Sequence, residues 1–269
     1  MWSTHGLEFQ GDTVVKKFRG QERDEPQREW RALRLLDRYA PGLAPRPIRE
    51  DLAGDPPLIV MSRITGVPLR GQGITKRQLT ALAETINTLH NAVPPERVRE
   101  LPACVYHPQV ALDNAKAWSS GKPDLGSDPA VAAALDFGSE WLSQLILPDT
   151  GEPEPSAVFG HSDGNLANFL WDGSKVYLVD FELSGRSDRS FELAELVEHI
   201  SMWVDRDVDT AFLLSCFELA DHENARLGEF RILFAFTWLL MLLPGRSASV
   251  RNPPGTLERQ AGRFLKFFG

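Results

Sequence analysis

The segment from Ala157 to Phe181 constrains this chain of 269 residues more than any other. It sets short apolar runs between long stretches of helical periodicity. Two of them, Phe169-Leu170-Trp171 and Lys175 to Val179, flank Asp172-Gly173-Ser174, a hairpin-turn sequence. At the ends of these runs stand Asp163, Asn168 and Asp180. Carboxylates flanked by hydrophobic strands are costly to bury unless something binds them. The hairpin between Asn168 and Asp180 returns both to the same end of the sheet. Three oxygen ligands gathered there form the hard-cation set expected for Mg2+ bridging phosphates. Singly, each residue has an ordinary use as a turn cap or loop-satisfying group; the spaced set carries the reading.

The rest of the chain divides around this island. Leu7–Phe9 and Thr13–Phe18, joined by Gln10-Gly11-Asp12, predict a hairpin. Asp24-Glu25-Pro26 opens a helix that runs from Gln27 to Ala40 and is broken by Pro41, Pro45 and Pro47. Leu58 to Met61 suits a buried strand, and Ser62 to Pro68 a hinge. Beyond it, Thr75–His90, Pro129–Leu147 and most of 191–243 have helical period, with Pro148 to Pro155 as a loop. The expectation is an α+β chain: a small lobe at 1–66 ending in the hinge, and a larger, mainly helical lobe at 67–269.

Composition narrows the function. Hydrophobic residues at 42% and charged residues at 25% are ordinary for a globular protein. The longest apolar stretch, Ile232 to Pro244, is too short to span a bilayer and reads as a buried helix, so no membrane association is expected. Met1 to Gly6 has neither the basic nor the apolar region of a signal peptide. Cys104 and Cys216 have no metal-knuckle spacing and form no disulfide framework, which favours a reducing, cytoplasmic compartment. The formal net charge of −8 argues against nucleic acid as a partner. Residues 1–66 hold 11 basic and 10 acidic side chains, which leaves 18 and 27 for the remainder, so the negative charge belongs to the second part. Such a surface is either plain solvation or an attractive field for a cationic ligand.

The pattern His161-x-Asp163-x4-Asn168, followed twelve residues later by Asp180-Phe181-Glu182, resembles the catalytic and metal loops of the aminoglycoside phosphotransferase/choline kinase family. Val14-Val15-Lys16, Arg28 to Leu33, Leu89-His90 and Arg189 to Ala194 add weaker matches in the right order. The resemblance implies a two-lobed protein-kinase-like fold and an enzyme that uses ATP, or GTP, with Mg2+. It implies that Asp163 orients the acceptor hydroxyl and takes its proton, with His161 supporting the loop. Asn168 and Asp180 would hold Mg2+. Lys16 would contact the nucleotide phosphates with Glu29 steadying it, and the backbone from Met61 through Ser62 to Ile64 would hold adenine.

Helical geometry checks Glu29 independently. Leu33, Leu36 and Ala40 all fall within about 40° of it, while Arg31, Arg34 and Arg38 lie on the far face. A carboxylate at the centre of an apolar stripe wants a cation, and a strand lysine is a natural partner. Alternation alone does not choose between Lys16 and Lys17, because both Val14 and Val15 are apolar. There are departures from the family. No G-x-G-x-x-G occurs in the first hairpin, where Ser3-Thr4-His5-Gly6 is the candidate phosphate-covering loop and the first strand should be very short. Glu182 stands where protein kinases have Gly. Glu192 stands where the family usually has Asp, with the catalytic loop still in its reach.

Glu192, Glu195 and His199 share one side of the next helix, and Asp205, Asp207 and Asp209 add the same sign. An acidic acceptor site suits a polycationic aminoglycoside or similar basic antibiotic. Trp203 is a candidate aromatic wall for a cation, with core packing as its commoner use. Choline kinases, amino-sugar kinases and a nucleotide-binding pseudokinase are the alternatives, the last favoured by the missing glycine loop and opposed by the intact Asp163, Asn168 and Asp180. A metal-dependent hydrolase leaves Lys16 and Glu29 unexplained, and a serine hydrolase lacks its Gly-x-Ser-x-Gly elbow.

Overall fold

A computed structural model describes residues 5–19, 24–121, 128–145 and 157–269. Its first element is the expected hairpin. Strand β1 (Gly6–Gln10) pairs antiparallel with β2 (Thr13–Lys17) across a turn in which Gly11 takes a φ of 59°, a conformation that favours glycine. At five residues, β1 is as long as its partner rather than very short. Helix α1 (Glu25–Tyr39) turns Glu29, Leu33 and Leu36 inward as the sequence periodicity placed them, with Ala32 beside them, while Ala40 falls at the helix end and is half-buried.

Strand β3 (Pro47–Asp51) was not legible in the sequence. Its residues are mostly exposed and lack alternation, and Pro47 reads as a breaker. It forms the edge of a four-stranded antiparallel sheet in the order β1-β2-β4-β3, where β4 is Leu58–Ser62. A proline opening an edge strand costs little, because its missing N–H leaves no ladder partner unmet.

The hinge does not stay a loop to its end. Val67–Pro68 forms a short strand, β5, against the inserted hairpin. Helix α2 (Lys76–Ala92) begins at Thr75, whose hydroxyl accepts the N–H of Gln78 in a reciprocal cap. Helices α3 (Pro95–Glu100), α4 (Pro108–Ser119) and α5 (Pro129–Gln144) follow. Helix α5 ends at Gln144, with Leu145 already extended, and the rest of its expected run to Leu147 and the loop Pro148 to Pro155 lie outside the described residues.

Strand β6 (Ala157–Gly160) opens the island. The hairpin β7 (Phe169–Trp171) and β8 (Val176–Leu178) forms a three-stranded sheet with β5. Strand β9 (Gly185–Asp188), which the polar sequence Gly-Arg-Ser-Asp concealed, pairs with β6. Helix α6 (Arg189–Glu198) starts directly from it, capped by the Asp188 carboxylate. Helix α7 (Thr210–Ser215), α8 (Asp221–Met241), α9 (Ser247–Arg251) and α10 (Thr256–Leu265) complete the larger lobe.

Helix α8 buries Leu227, Phe230, Leu233, Phe234, Phe236 and Leu239, so it is apolar around most of its girth and central to the core. Phe191 of α6 meets Phe230 edge to face at 5.2 Å between centroids, and Phe236 meets Phe264 of α10 at 5.3 Å. Among the described residues no helix is long and apolar enough to cross a membrane. Cys104 and Cys216 are both free thiols.

Candidate active site

The loop after β6 is held from below by α6. Glu192 accepts the backbone N–H groups of His161 and Ser162 on one carboxylate oxygen, at 2.9 and 3.0 Å, and the Ser162 hydroxyl on the other at 2.8 Å. Ser162 has a φ of 61°, in the left-handed region that non-glycine residues avoid. That turn presents Asp163. Its Oδ1 accepts the N–H of Asn165 at 3.0 Å and its Oδ2 the side-chain amide of Asn168 at 2.9 Å. Burial, with the Asp180 charge adding to it, pushes the Asp163 carboxyl above the usual carboxylate range against the pull of those hydrogen bonds.

The second loop is sewn to the first. Both ring nitrogens of His161 face carbonyl oxygens, Nδ1 that of Asp163 at 3.0 Å and Nε2 that of Val179 at 2.9 Å. The N–H of Val179 donates to Asn168 O at 3.0 Å. Phe181 sets its ring edge-on against His161 at 4.8 Å. His161 is therefore buried between the loops and ties them together. Asp180, one residue on, has a φ of 70°, a second left-handed residue at the site.

The small lobe reaches this point through Lys16, only 4% exposed. Its Nζ donates to Glu29 Oε2 at 2.5 Å, to Asp180 Oδ1, and to Glu182 Oε2 at 2.8 Å. Burial acts to lower the Lys16 pKa, but the three carboxylates together raise it above that of an ordinary lysine. Glu29, 1% exposed, is pushed up to about 7 by burial, against the attraction of Lys16. The choice left open by alternation is decided by geometry. Lys17 points to the other face of the sheet and pairs with the exposed Glu8 at 2.5 Å.

Glu182 is more than a substitution for glycine. Besides Lys16 it meets His5 Nε2 at 2.8 Å, while His5 Nδ1 accepts the N–H of Arg19 at 3.1 Å. That acceptance leaves the ring proton on Nε2, directed at Glu182. Burial acts to raise the Glu182 carboxyl, but the His5 hydrogen bond and Lys16 hold it well below the usual range. His5 also packs on Phe18 at 4.8 Å. It is thus enclosed beside Glu182 rather than part of an open phosphate-covering loop, and Ser3 and Thr4 lie outside the described residues.

Several residues expected on the acceptor side are placed differently. Glu192 is buried, with both oxygens committed to the loop above it. Trp203 is 1% exposed, and Arg259 and Arg263 lie over its ring at 4.9 and 5.1 Å, which leaves no wall for a ligand cation. Asp205 and Asp207 pair with Arg70 and Arg259 at 3.1 and 2.7 Å, and Asp209 caps α7. Much of the acidity read there is thereby neutralised locally. Glu195 and His199 do converge on Asp163: the three ligand atoms lie within 4.8 Å of one another. Burial, with the neighbouring charges of Asp163 and Glu192, raises the Glu195 carboxyl well above its ordinary value.

At the hinge, Met61 sits within β4 with a buried side chain, and Ile64 is half-buried. Ser62 donates its N–H to Arg46 O at 2.9 Å and accepts the N–H of Arg46 on its hydroxyl at 2.8 Å, so its donor is already engaged within the sheet. Two contributors had no readable signal. Arg70 donates to Asn165 Oδ1 at 3.2 Å, and Ser201 accepts the N–H of Leu166 at 2.9 Å. Both brace the Asp163 loop from residues distant in sequence.

The fold is shared with many solved structures. The model of the phosphotransferase enzyme family matches residues 4–227. No curated protein matches the chain in sequence. A choline/ethanolamine kinase family protein from Mesorhizobium loti superposes with a TM-score of 0.63 at 19% identity, over 98% of this chain and 84% of its own. The choline kinase LicA from Streptococcus pneumoniae gives 0.62 at 18% identity, over 99% and 90%. A GDP complex of aminoglycoside 2'-phosphotransferase-IIIa gives 0.63 at 15% identity, over 98% and 88%. The fold is accordingly the two-lobed, protein-kinase-like one.

Proposed function

The chain belongs to the phosphotransferase enzyme family, and from that premise we propose that it is a small-molecule kinase. It transfers the γ-phosphoryl group of ATP, with Mg2+, to a hydroxyl of a cationic acceptor, an aminoglycoside or similarly basic antibiotic. The observation that carries the reading is the fixing of Asp163 by Asn165 and Asn168, in a loop tied through His161 to the one bearing Asp180. Residues 1–66 form the nucleotide-binding part and 67–269 the acceptor-binding part of this proposal. ADP, AMP and GDP complexes among the similar structures support a nucleotide, without choosing between ATP and GTP as donor. The two free thiols suit a reducing compartment, and we place the enzyme in the cytoplasm.

The donor set fits Mg2+. The Asn168 amide nitrogen is engaged by Asp163, which leaves its Oδ1 as the ligating atom. Asp180 holds Lys16 with one oxygen and has a second. Both are hard oxygen donors of the kind that share Mg2+ with phosphates. When bound, the ion neutralises phosphate charge and helps to align the transferred group.

The chain's own residues supply the rest. Lys16 carries a fixed positive charge toward the phosphates, and Glu29 holds its ammonium in place. Asp163 accepts the hydrogen bond of the acceptor hydroxyl at the position where attack begins and takes its proton as the bond to phosphorus forms. Glu192 and His161 hold that carboxylate in place. Positioning and preorganised charge, rather than covalent chemistry, account for the rate in such transfers.

The cationic acceptor is supported by Glu195 beside Asp163, which no arginine neutralises in an ion pair among the described residues. An entering ammonium group would stabilise the ionised form of that carboxyl. Choline is the second reading, favoured by the likeness to two choline kinase structures. It is the weaker one because the Trp203 ring is buried under two arginines. The test is ADP release from Mg-ATP across aminoglycosides, peptide and nucleoside antibiotics, choline, ethanolamine and amino sugars. Turnover that depends on a basic antibiotic supports the proposal. Turnover with choline or ethanolamine alone replaces the acceptor class, and none with any acceptor overturns the kinase assignment.

A further inference from the structure

Asp163 is approached from the acceptor side by a ring whose protonation the structure fixes. His199, at the end of α6, is nearly buried and sets Nε2 3.8 Å from Asp163 Oδ1. Its Nδ1 accepts the N–H of Ser201 at 3.2 Å and lies 2.8 Å from Ser201 Oγ. That hydroxyl accepts the N–H of Leu166, which frees its own proton for Nδ1. A ring nitrogen that receives an N–H carries none itself, so the proton of the neutral imidazole is on Nε2. Burial, with the Arg70 charge, lowers the His199 pKa to about 3 and keeps the ring neutral. Trp238 sets its ring edge to face with the imidazole at 4.9 Å and fixes the plane.

We propose that His199 is the second contact of the acceptor hydroxyl, its Nε2–H donating to the acceptor oxygen while that hydroxyl donates to Asp163 Oδ1. The inference rests on the phosphotransferase reading and adds the residue that orients the nucleophile. A gap of 3.8 Å is too long for a direct hydrogen bond between the two side chains. It does accommodate one oxygen at about 2.8 Å from each. An alcohol oxygen has four roughly tetrahedral directions, the two toward Asp163 and His199 being drawn in to about 85° by the 3.8 Å gap. One is its carbon, one its proton toward Asp163, and one the lone pair that receives His199 Nε2–H. The remaining lone pair is then aimed at phosphorus. That pair forms the new O–P bond, the bond from γ-phosphorus to the bridging oxygen breaks with its electrons leaving on ADP, and the hydroxyl proton passes to Asp163. His199 stays neutral and transfers nothing.

Two substitutions separate this role from that of a helix cap. Asparagine at 199 can accept the Ser201 N–H as Nδ1 does but is too short to reach the acceptor. Glutamine can present an amide N–H near the position of Nε2 and gives up the cap. With the acceptor that turns over fastest in the screen, His199→Asn should lower kcat/KM for acceptor roughly tenfold, about what one neutral hydrogen bond supplies. His199→Gln should stay within about threefold of wild type, and the KM for Mg-ATP should not move in either. The reverse order, with Asn active and Gln impaired, means that His199 is only a cap and overturns the inference while leaving the kinase intact. A second readout needs no acceptor. Nitrogen-15 NMR of histidine-labelled protein should show His199 with a protonated Nε2 and a bare Nδ1. The opposite tautomer, or a doubly protonated ring at neutral pH, also overturns it. Wild type silent with every acceptor overturns the kinase reading and this inference together.

Discussion

Glu192 receives both the hydroxyl and the backbone N–H of Ser162, at 2.8 and 3.0 Å, and so holds a residue with a φ of 61° directly before Asp163. The loop that carries Asp163 is strained and the carboxylate beneath it fixes the strain. Glu192→Ala leaves two buried N–H groups and a hydroxyl without their acceptor. It should cost about 3 kcal/mol in unfolding free energy. Glu192→Asp should recover part of that and should lower kcat more than it alters the KM for ATP. Urea unfolding and steady-state kinetics on the two variants check this.

The same loop lies against α6 with little space. A Cβ on Gly164 would lie 2.7 Å from the Cα of Leu196, backbone that cannot move aside alone. Gly164→Ala should therefore destabilise the fold by about 1–3 kcal/mol and displace Asp163. A variant with wild-type stability and kcat would show that the loop and helix are less closely packed than described.

Lys16 and Lys17 are adjacent, and the account separates them. Lys16→Met removes the charge shared by Glu29, Asp180 and Glu182 and should raise the KM for Mg-ATP at least about tenfold. Lys17→Met loses only an exposed pair with Glu8 and should stay within about twofold of wild type. Kinetics at saturating acceptor measure both.

Trp203 gives a prediction against its expected role. With Arg259 and Arg263 over its ring, Trp203→Phe should leave the acceptor KM within about twofold of wild type. Trp203→Ala should lower stability by about 3–5 kcal/mol through the cavity it leaves. A large change in acceptor KM for the Phe variant would return the ring to the acceptor site.

The acid side of the stability profile has a defined sign. Burial, aided by the Arg189 charge, lowers the pKa of His90 from 6.5 to about 3. The unfolded chain therefore takes up a proton there below pH 6.5 that the folded chain refuses. The contribution is intact above pH 6.5 and is lost progressively as pH falls toward 3, at about 1.4 kcal/mol per pH unit. Glu29, raised to about 7, acts in the opposite sense between its unfolded value and 7. His90→Leu should lower the slope of stability against pH between pH 4 and 6 by about one proton, leaving the opposite Glu29 dependence uncovered, read from urea unfolding at each pH.

How much of this was legible depended on whether a residue's role is local. Asp163, Asn168 and Asp180 stood out because short strands force their spacing, and Glu29 because a charge broke an apolar stripe. The strands β3 and β9 carried no alternation, one lying exposed at an edge and the other built of Gly-Arg-Ser-Asp, so periodicity had nothing to register. The engagement of Glu182 by Lys16 and His5 joins residues more than 160 positions apart. No spacing rule reaches that far. The burial of Trp203 and the pairing of Asp205 and Asp207 with arginines likewise follow from packing, which removes charge that composition alone had assigned to the acceptor site.

The most direct measurement follows the phosphoryl group itself. Phosphorus-31 NMR of Mg-ATP, the protein and the best acceptor should show ADP and a new phosphate monoester growing together. Asp163→Asn, which keeps the shape and removes the base, should slow that signal by at least about a hundredfold while nucleotide binding persists. A monoester that forms as fast in Asp163→Asn as in wild type would contradict the account.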